Sequence, residues 1–96
     1  MALRVDFKLS VIFIREGKRF VAYAPAIDLS TSGRNFEEAK RHFEEAAEIF
    51  FEEISRKGTL NDALLDLGWA KQRNTWQPPM VVSQGLETIT IPVAVS

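Results

Sequence analysis

The stretch NFEEAKRHFEEAAEIFFEEISRKG, residues 35–58, decides how the chain folds. Asn35 is a favoured helix N-cap, and Glu38 falls three residues later, where its carboxylate reaches back to the free backbone donors of the first turn. Phe36, Ala39, Phe43, Ala46, Ala47, Phe50 and Ile54 then recur at helical spacing on one arc of a 3.6-residue wheel, the pattern of a helix buried on one side. The opposite arc carries Glu37, Glu44, Glu45, Glu48 and Glu52, with Arg41, Arg56 and Lys57 among or beyond them. Helical spacing pairs Glu37 with Arg41 and Glu52 with Arg56. Gly58 is suited to the left-handed residue that ends a helix, and Arg56 and Lys57 sit at the negative end of its dipole.

An arc of Phe and Ala requires an apolar surface to lie on, and the residues before it supply one. Val5, Phe7, Leu9, Val11 and Phe13 alternate with Asp6, Lys8 and Ser10, the period of a half-buried strand. A charged turn with Gly17 leads to a returning strand at 20–24, which Pro25 ends or bulges. Residues 27–32 form a short third strand closed by Gly33 ahead of the helix cap. Three strands and a helix with one apolar face predict an α+β fold of two layers, a three-stranded antiparallel sheet packed on one long helix.

Beyond Gly58, Thr59 and Asp62 make a second capping signature, and Leu60, Ala63, Leu64 and Leu67 a short helix stopped by Gly68. Residues 69–76 read as a small hairpin turning near Asn74, and Pro78-Pro79 breaks regular structure. Ile89, Ile91, Val93 and Val95 alternate with Thr88, Thr90 and Pro92, which predicts a last strand. Pro92 restricts that strand to pairing on one side, so exchange onto a second subunit is expected, with these four residues at the oligomer interface of a homodimer or tetramer.

With 96 residues there is apolar surface for one domain, 1–96, divided into a β-β-β-α core at 1–58 and a short helix with C-terminal strands at 59–96. Hydrophobic residues at 46% and charged residues at 26% are the balance of a globular chain rather than a disordered one. No run has the length of a signal peptide or membrane span, and no cysteine is present, which together fit a reducing cytoplasm and no membrane. A formal net charge of -1 provides no general attraction to phosphate, so nucleic-acid binding would need a local patch such as Arg15, Lys18 and Arg19, or Lys71 with Arg73.

Candidate chemistry is sparse. His42 has Glu38 and Glu45 within helical reach, but without a nucleophile it reads as a helix residue rather than a general base. Asp6, Asp28 and Glu44 are the carboxylates a two-metal nuclease would need, but the spacing is not specific, and Asp6 reads instead as a solvent-face strand residue and Asp28 as a turn acceptor. Trp69, Trp76 and Tyr23 suit base stacking but lack a basic groove, so they read as core or interface aromatics. No catalytic residue, metal-ligand set or cofactor is expected. The acidic arc reads either as a solvated face or as a ridge for a basic partner.

The segment IFIREGKRFVAYAPAIDL at 12–29, followed by Gly33 and the helix entry FEEA at 36–39, resembles the HicB-like antitoxin family. The likeness covers about the first two-thirds of the chain, and LLDLGW at 64–69 and WQPP at 76–79 add to it. The resemblance implies a partly RNase H-like fold without that fold's catalytic carboxylates, and a function by binding. Family members neutralise HicA, a small basic mRNA ribonuclease toxin, by covering its active surface. On that reading Glu44, Glu48 and Glu52, with Tyr23 and Asp28, are the expected partner-binding residues. Many members continue into a DNA-binding segment; here a strand ends at Ser96 with no helix behind it, which leaves operator-DNA binding doubtful. A stand-alone member without a toxin is the alternative, followed by a residual metal-dependent nuclease or a nucleic-acid-binding domain.

Overall fold

A computed structural model describes residues 7–94. Strands β1 (Ile12–Glu16), β2 (Arg19–Ala24) and β3 (Leu29–Gly33) form an antiparallel sheet in that order. Helix α1 (Phe36–Arg56) packs on one face, followed by helix α2 (Leu60–Asp66) and a hairpin of β4 (Ala70–Gln72) and β5 (Thr75–Gln77). The fold is α+β.

The β1–β2 hairpin closes at Glu16 and Arg19, with Gly17 at φ 59 supplying the left-handed residue that a two-residue hairpin turn needs. Pro25 ends β2 as expected. The chain then turns through Ile27 N–H to Ala24 O (3.3 Å) and Asp28 N–H to Pro25 O (3.2 Å), burying Ile27 in the turn rather than in β3. β3 accordingly starts two residues later than the sequence indicates.

Sheet and helix meet through small residues. Ala22 and Ala24 of β2, Gly33 of β3 and Ala39 of α1 are all buried at the contact, which lets the two backbones come close. The Thr31 hydroxyl donates to Ala39 O at 3.1 Å, and His42 Nδ1 donates to Ser32 O at 2.8 Å, so two polar bonds fasten α1 to β3. Phe43 and Leu64 add the larger apolar mass, each contributing about 1.5–3 kcal/mol by burial. Phe36, placed in the buried arc by its spacing, is half exposed at the helix start and packs on Phe13 at 4.5 Å between ring centroids.

Both ends of α1 fall where the sequence puts them. Asn35 Oδ1 accepts from Glu38 N–H at 2.8 Å, while Glu38 Oε1 accepts from the Arg34 backbone and Oε2 from its guanidinium at 2.9 Å. At the C-terminus Gly58, at φ 71, donates to Ser55 O and Thr59 N–H to Ile54 O, the paired bonds of a Schellman motif. Thr59 does not cap α2. Its hydroxyl is spent on Ile54 O at 3.3 Å, so the Thr59–Asp62 signature is not realised as a cap. Gly68, at φ 89, closes α2 in the same way as Gly58 closes α1.

The Arg34 contacts hold the Glu38 carboxyl at about 2, well below the ordinary carboxylate value of 4.5, through its side-chain bond first and its backbone bond second. A folded-state value depressed in this way contributes stability that is present above the unfolded value and is lost as pH falls through the folded one. Glu38→Gln should therefore lower the melting temperature by a few degrees at pH 7, and the gap should close as pH drops from 4.5 towards 2. Thermal melts across that window check it; a gap independent of pH would show that the ion pair does not stabilise the helix start.

The remaining differences lie at the chain ends. Among the described residues regular pairing begins at Ile12, so residues 7–11 of the expected first strand are unpaired, and Val5 and Asp6 lie outside the described residues. Residues 78–94 form no helix or strand, so the strand expected from the alternation of Ile89, Ile91 and Val93 is absent from the single chain. Alternation specifies which side chains share a face, but a strand also needs a partner edge, and in the single chain the segment pairs with none. Val95 lies outside the described residues. Among the described residues no helix is long and apolar enough to cross a membrane.

Candidate functional site

Glu44, Glu48 and Glu52 follow one another at every fourth residue of α1, all exposed, forming a row of carboxylates about 6 Å apart along the axis. Lys40, four residues before Glu44 and beside it on the groove, and Arg41 form no ion pair among the described residues, and the other nearby cations bind elsewhere. Arg56 and Lys57 both engage Glu53, at 3.3 and 3.7 Å, and Arg34 engages Glu38. Among the described residues none of the three ridge carboxylates has an ion-pair partner, and the expected Glu37–Arg41 and Glu52–Arg56 pairs do not form. Like charges at i and i+4 cost about 0.2–0.5 kcal/mol per pair, so the ridge is slightly unfavourable as it stands. A bound cation would relieve that cost.

Beside the ridge runs an open groove of about 550 Å³. One wall is Phe7, Leu9, Val11 and Phe13, the alternate residues of the segment leading into β1; the other comes from Phe43, Ala47 and Phe51 of α1. Lys40, Glu44 and Glu48 are its polar members, so two carboxylates of the ridge also border the groove. Phe7 stacks on Phe51 with 5.2 Å between centroids and meets Trp69 edge-on at 5.3 Å, which closes one end of the groove with aromatic rings.

Trp69 is a core residue. It is 3% exposed, and its Nε1 donates to Ala26 O at 2.7 Å across the fold. Trp76 is half-buried in the β4–β5 hairpin with Lys71 Nζ 5.5 Å from its ring centroid. The basic clusters are dispersed: Arg15 and Arg19 bond to Gly17 O and Ser32 Oγ at the first hairpin, and Lys71 and Arg73 belong to the second.

Tyr23 and Asp28 form a separate pair. Ala22 and Ala24 face α1, so Tyr23 between them faces the other side of the sheet, with its hydroxyl donating to Asp28 Oδ1 at 3.0 Å. That bond, followed by partial burial and the Asp28 charge, raises the Tyr23 pKa above 10.0. Asp28 holds a left-handed φ of 48 in the β2–β3 turn. Of the five expected partner-binding residues, the fold therefore groups three on α1 and two across the sheet. Asp28 and Glu44 do not converge, and among the described residues no group of three or more His, Asp or Glu side chains is placed to hold a metal ion.

The ridge was legible from helical spacing, whereas the groove was missed. Its signal was present in two separate periodicities, odd positions 7–13 and positions 43, 47 and 51, but their juxtaposition is a tertiary fact. Comparison with protein-family models, curated protein sequences and solved structures finds no match to this chain.

Proposed function

We propose that the chain is a HicB-like antitoxin, a protein-binding module rather than an enzyme, which masks a HicA-type mRNA ribonuclease in the cytoplasm. The observation that carries this reading is the row of Glu44, Glu48 and Glu52 without ion-pair partners beside an apolar groove. An acidic ridge steers a basic protein by long-range attraction. The resemblance of residues 12–29 and 36–39 to the antitoxin family supplies the kind of partner, and with it the RNase H-like relationship of the fold. Tyr23 and Asp28, on the far side of the sheet, would require a partner that wraps around the sheet edge and are secondary in this reading.

A second reading is an orphan HicB-like binding domain that has no toxin and functions as an oligomer. The apolar segment at 86–93, exposed in the single chain, favours it.

The test is charge reversal on the ridge. Glu44→Lys, Glu48→Lys and Glu52→Lys together should weaken binding of a HicA-type ribonuclease by about tenfold or more and make the residual affinity less sensitive to salt. All three side chains are exposed, so circular dichroism should remain unchanged. Unaltered affinity would remove the ridge from the interface.

A further inference from the structure

The groove and the C-terminal segment fit each other, and in the single chain both are left open. Val81 N–H donates to Ser10 Oγ at 3.4 Å, the last polar contact along the chain among the described residues. Beyond it Ile89, Ile91 and Val93 are 74%, 67% and 71% exposed. Three exposed β-branched side chains at alternate positions are an unfavourable arrangement for a chain alone in water.

From these observations we infer that the groove between residues 7–13 and α1 receives the 86–94 segment of a second copy of this chain, and that the exchange is reciprocal. Four features converge on this occupant. The groove wall leads into β1, an edge of the sheet, whose outer side from Ile12 onward presents backbone donors and acceptors to an added strand. Ile89, Ile91 and Val93 lie on one face at period two and span about 13 Å, within the roughly 20 Å covered by Phe7 to Phe13. Pro92 removes a donor from only one edge of the segment, the edge opposite to that of residues 89, 91 and 93, so pairing on a single side is preserved. Glu87 is the one charge between residues 74 and 96, so burying this segment strips few charges of water.

Size also favours a second copy. The segment and the groove together engage about twenty residues from each chain, and a two-fold axis uses both twice, which matches a standard stable interface. A copy of the chain brings both the nearly uncharged segment and the groove that fits it. The inference does not depend on the toxin reading, because the exchange involves no other protein; Glu44 and Glu48 border the groove, and Glu52 lies outside it.

The experiment uses the full chain. Sedimentation equilibrium should give a mass of two chains or an even multiple, and Ile89→Asp, Ile91→Asp and Val93→Asp together should reduce it to one chain with an unchanged circular dichroism spectrum. Since the protein has no cysteine, Ile91→Cys in one tagged copy and Ala47→Cys in another can be mixed and oxidised. A disulfide joining the two copies is expected. A monomeric wild type, an oligomer indifferent to the triple substitution, or no disulfide between the mixed copies would each overturn the inference.

Discussion

Trp69→Ala should cost about 3–5 kcal/mol of stability, the largest loss from any single side chain in this protein. The indole is almost completely buried, meets the rings of Phe7 and Phe51, and donates to Ala26 O from 43 residues away. It thereby fastens the post-α2 chain to the β2–β3 turn and to α1 at once. A domain of this size has roughly 5–14 kcal/mol in total, so the variant would be close to unfolding, with its melting temperature lowered by ~12 °C or more. Trp69→Phe separates the two contributions: it keeps most of the apolar area but leaves the Ala26 carbonyl without its donor, for a loss of about 1–3 kcal/mol. Urea unfolding of both variants checks the order. If Trp69→Ala melted like the wild type, the aromatic cluster would not be what secures the second half of the chain.

Gly33→Ala should be nearly as damaging, and for a reason unrelated to turns. Gly33 lacks the positive φ of Gly17, Gly58 and Gly68; what it provides is space. A Cβ there would lie 2.5 Å from the Ala39 nitrogen and 2.8 Å from the Glu38 carbonyl carbon, both backbone atoms that move only if the helix moves. Lifting α1 off β3 would also stretch the Thr31–Ala39 and His42–Ser32 bonds that fasten the two layers. Overpacking of this kind costs about 1–3 kcal/mol, and the strained bonds raise the expectation to the top of that range. Gly85→Ala, where nothing lies within 4 Å, is the matched control and should be neutral. Equal stability of the two variants would mean that the layers have room to separate freely.

The contrast between these glycines shows what a sequence conveys. Gly58 was readable because a left-handed residue after a periodic apolar run is a local signal. The role of Gly33 was not, because its neighbour Ala39 approaches only through the packing of helix on sheet. The same division holds throughout the chain. Asn35, the Phe43 arc, the Gly17 turn and the α+β order depend on short-range chemistry and were legible. The Glu53 pairs, the diverted Thr59 hydroxyl and the groove depend on which rotamer or wall happens to be nearest, which spacing leaves open. The terminal alternation at 88–95 is intermediate: its pattern is that of a strand, and the missing ingredient is a pairing that the single chain does not make.

The central claim, that this is a binding module for a small basic ribonuclease, is tested most directly by capturing the tagged chain with its partners from its own host at moderate salt. The material recovered is identified by mass spectrometry and assayed for RNA cleavage with and without added chain. A small basic HicA-type protein in stoichiometric amount, whose ribonuclease activity is silenced by the wild type and escapes the Glu44, Glu48 and Glu52 charge reversal, is the result predicted. Recovery of the chain alone, or of a ribonuclease that cuts equally well in its presence, would contradict it.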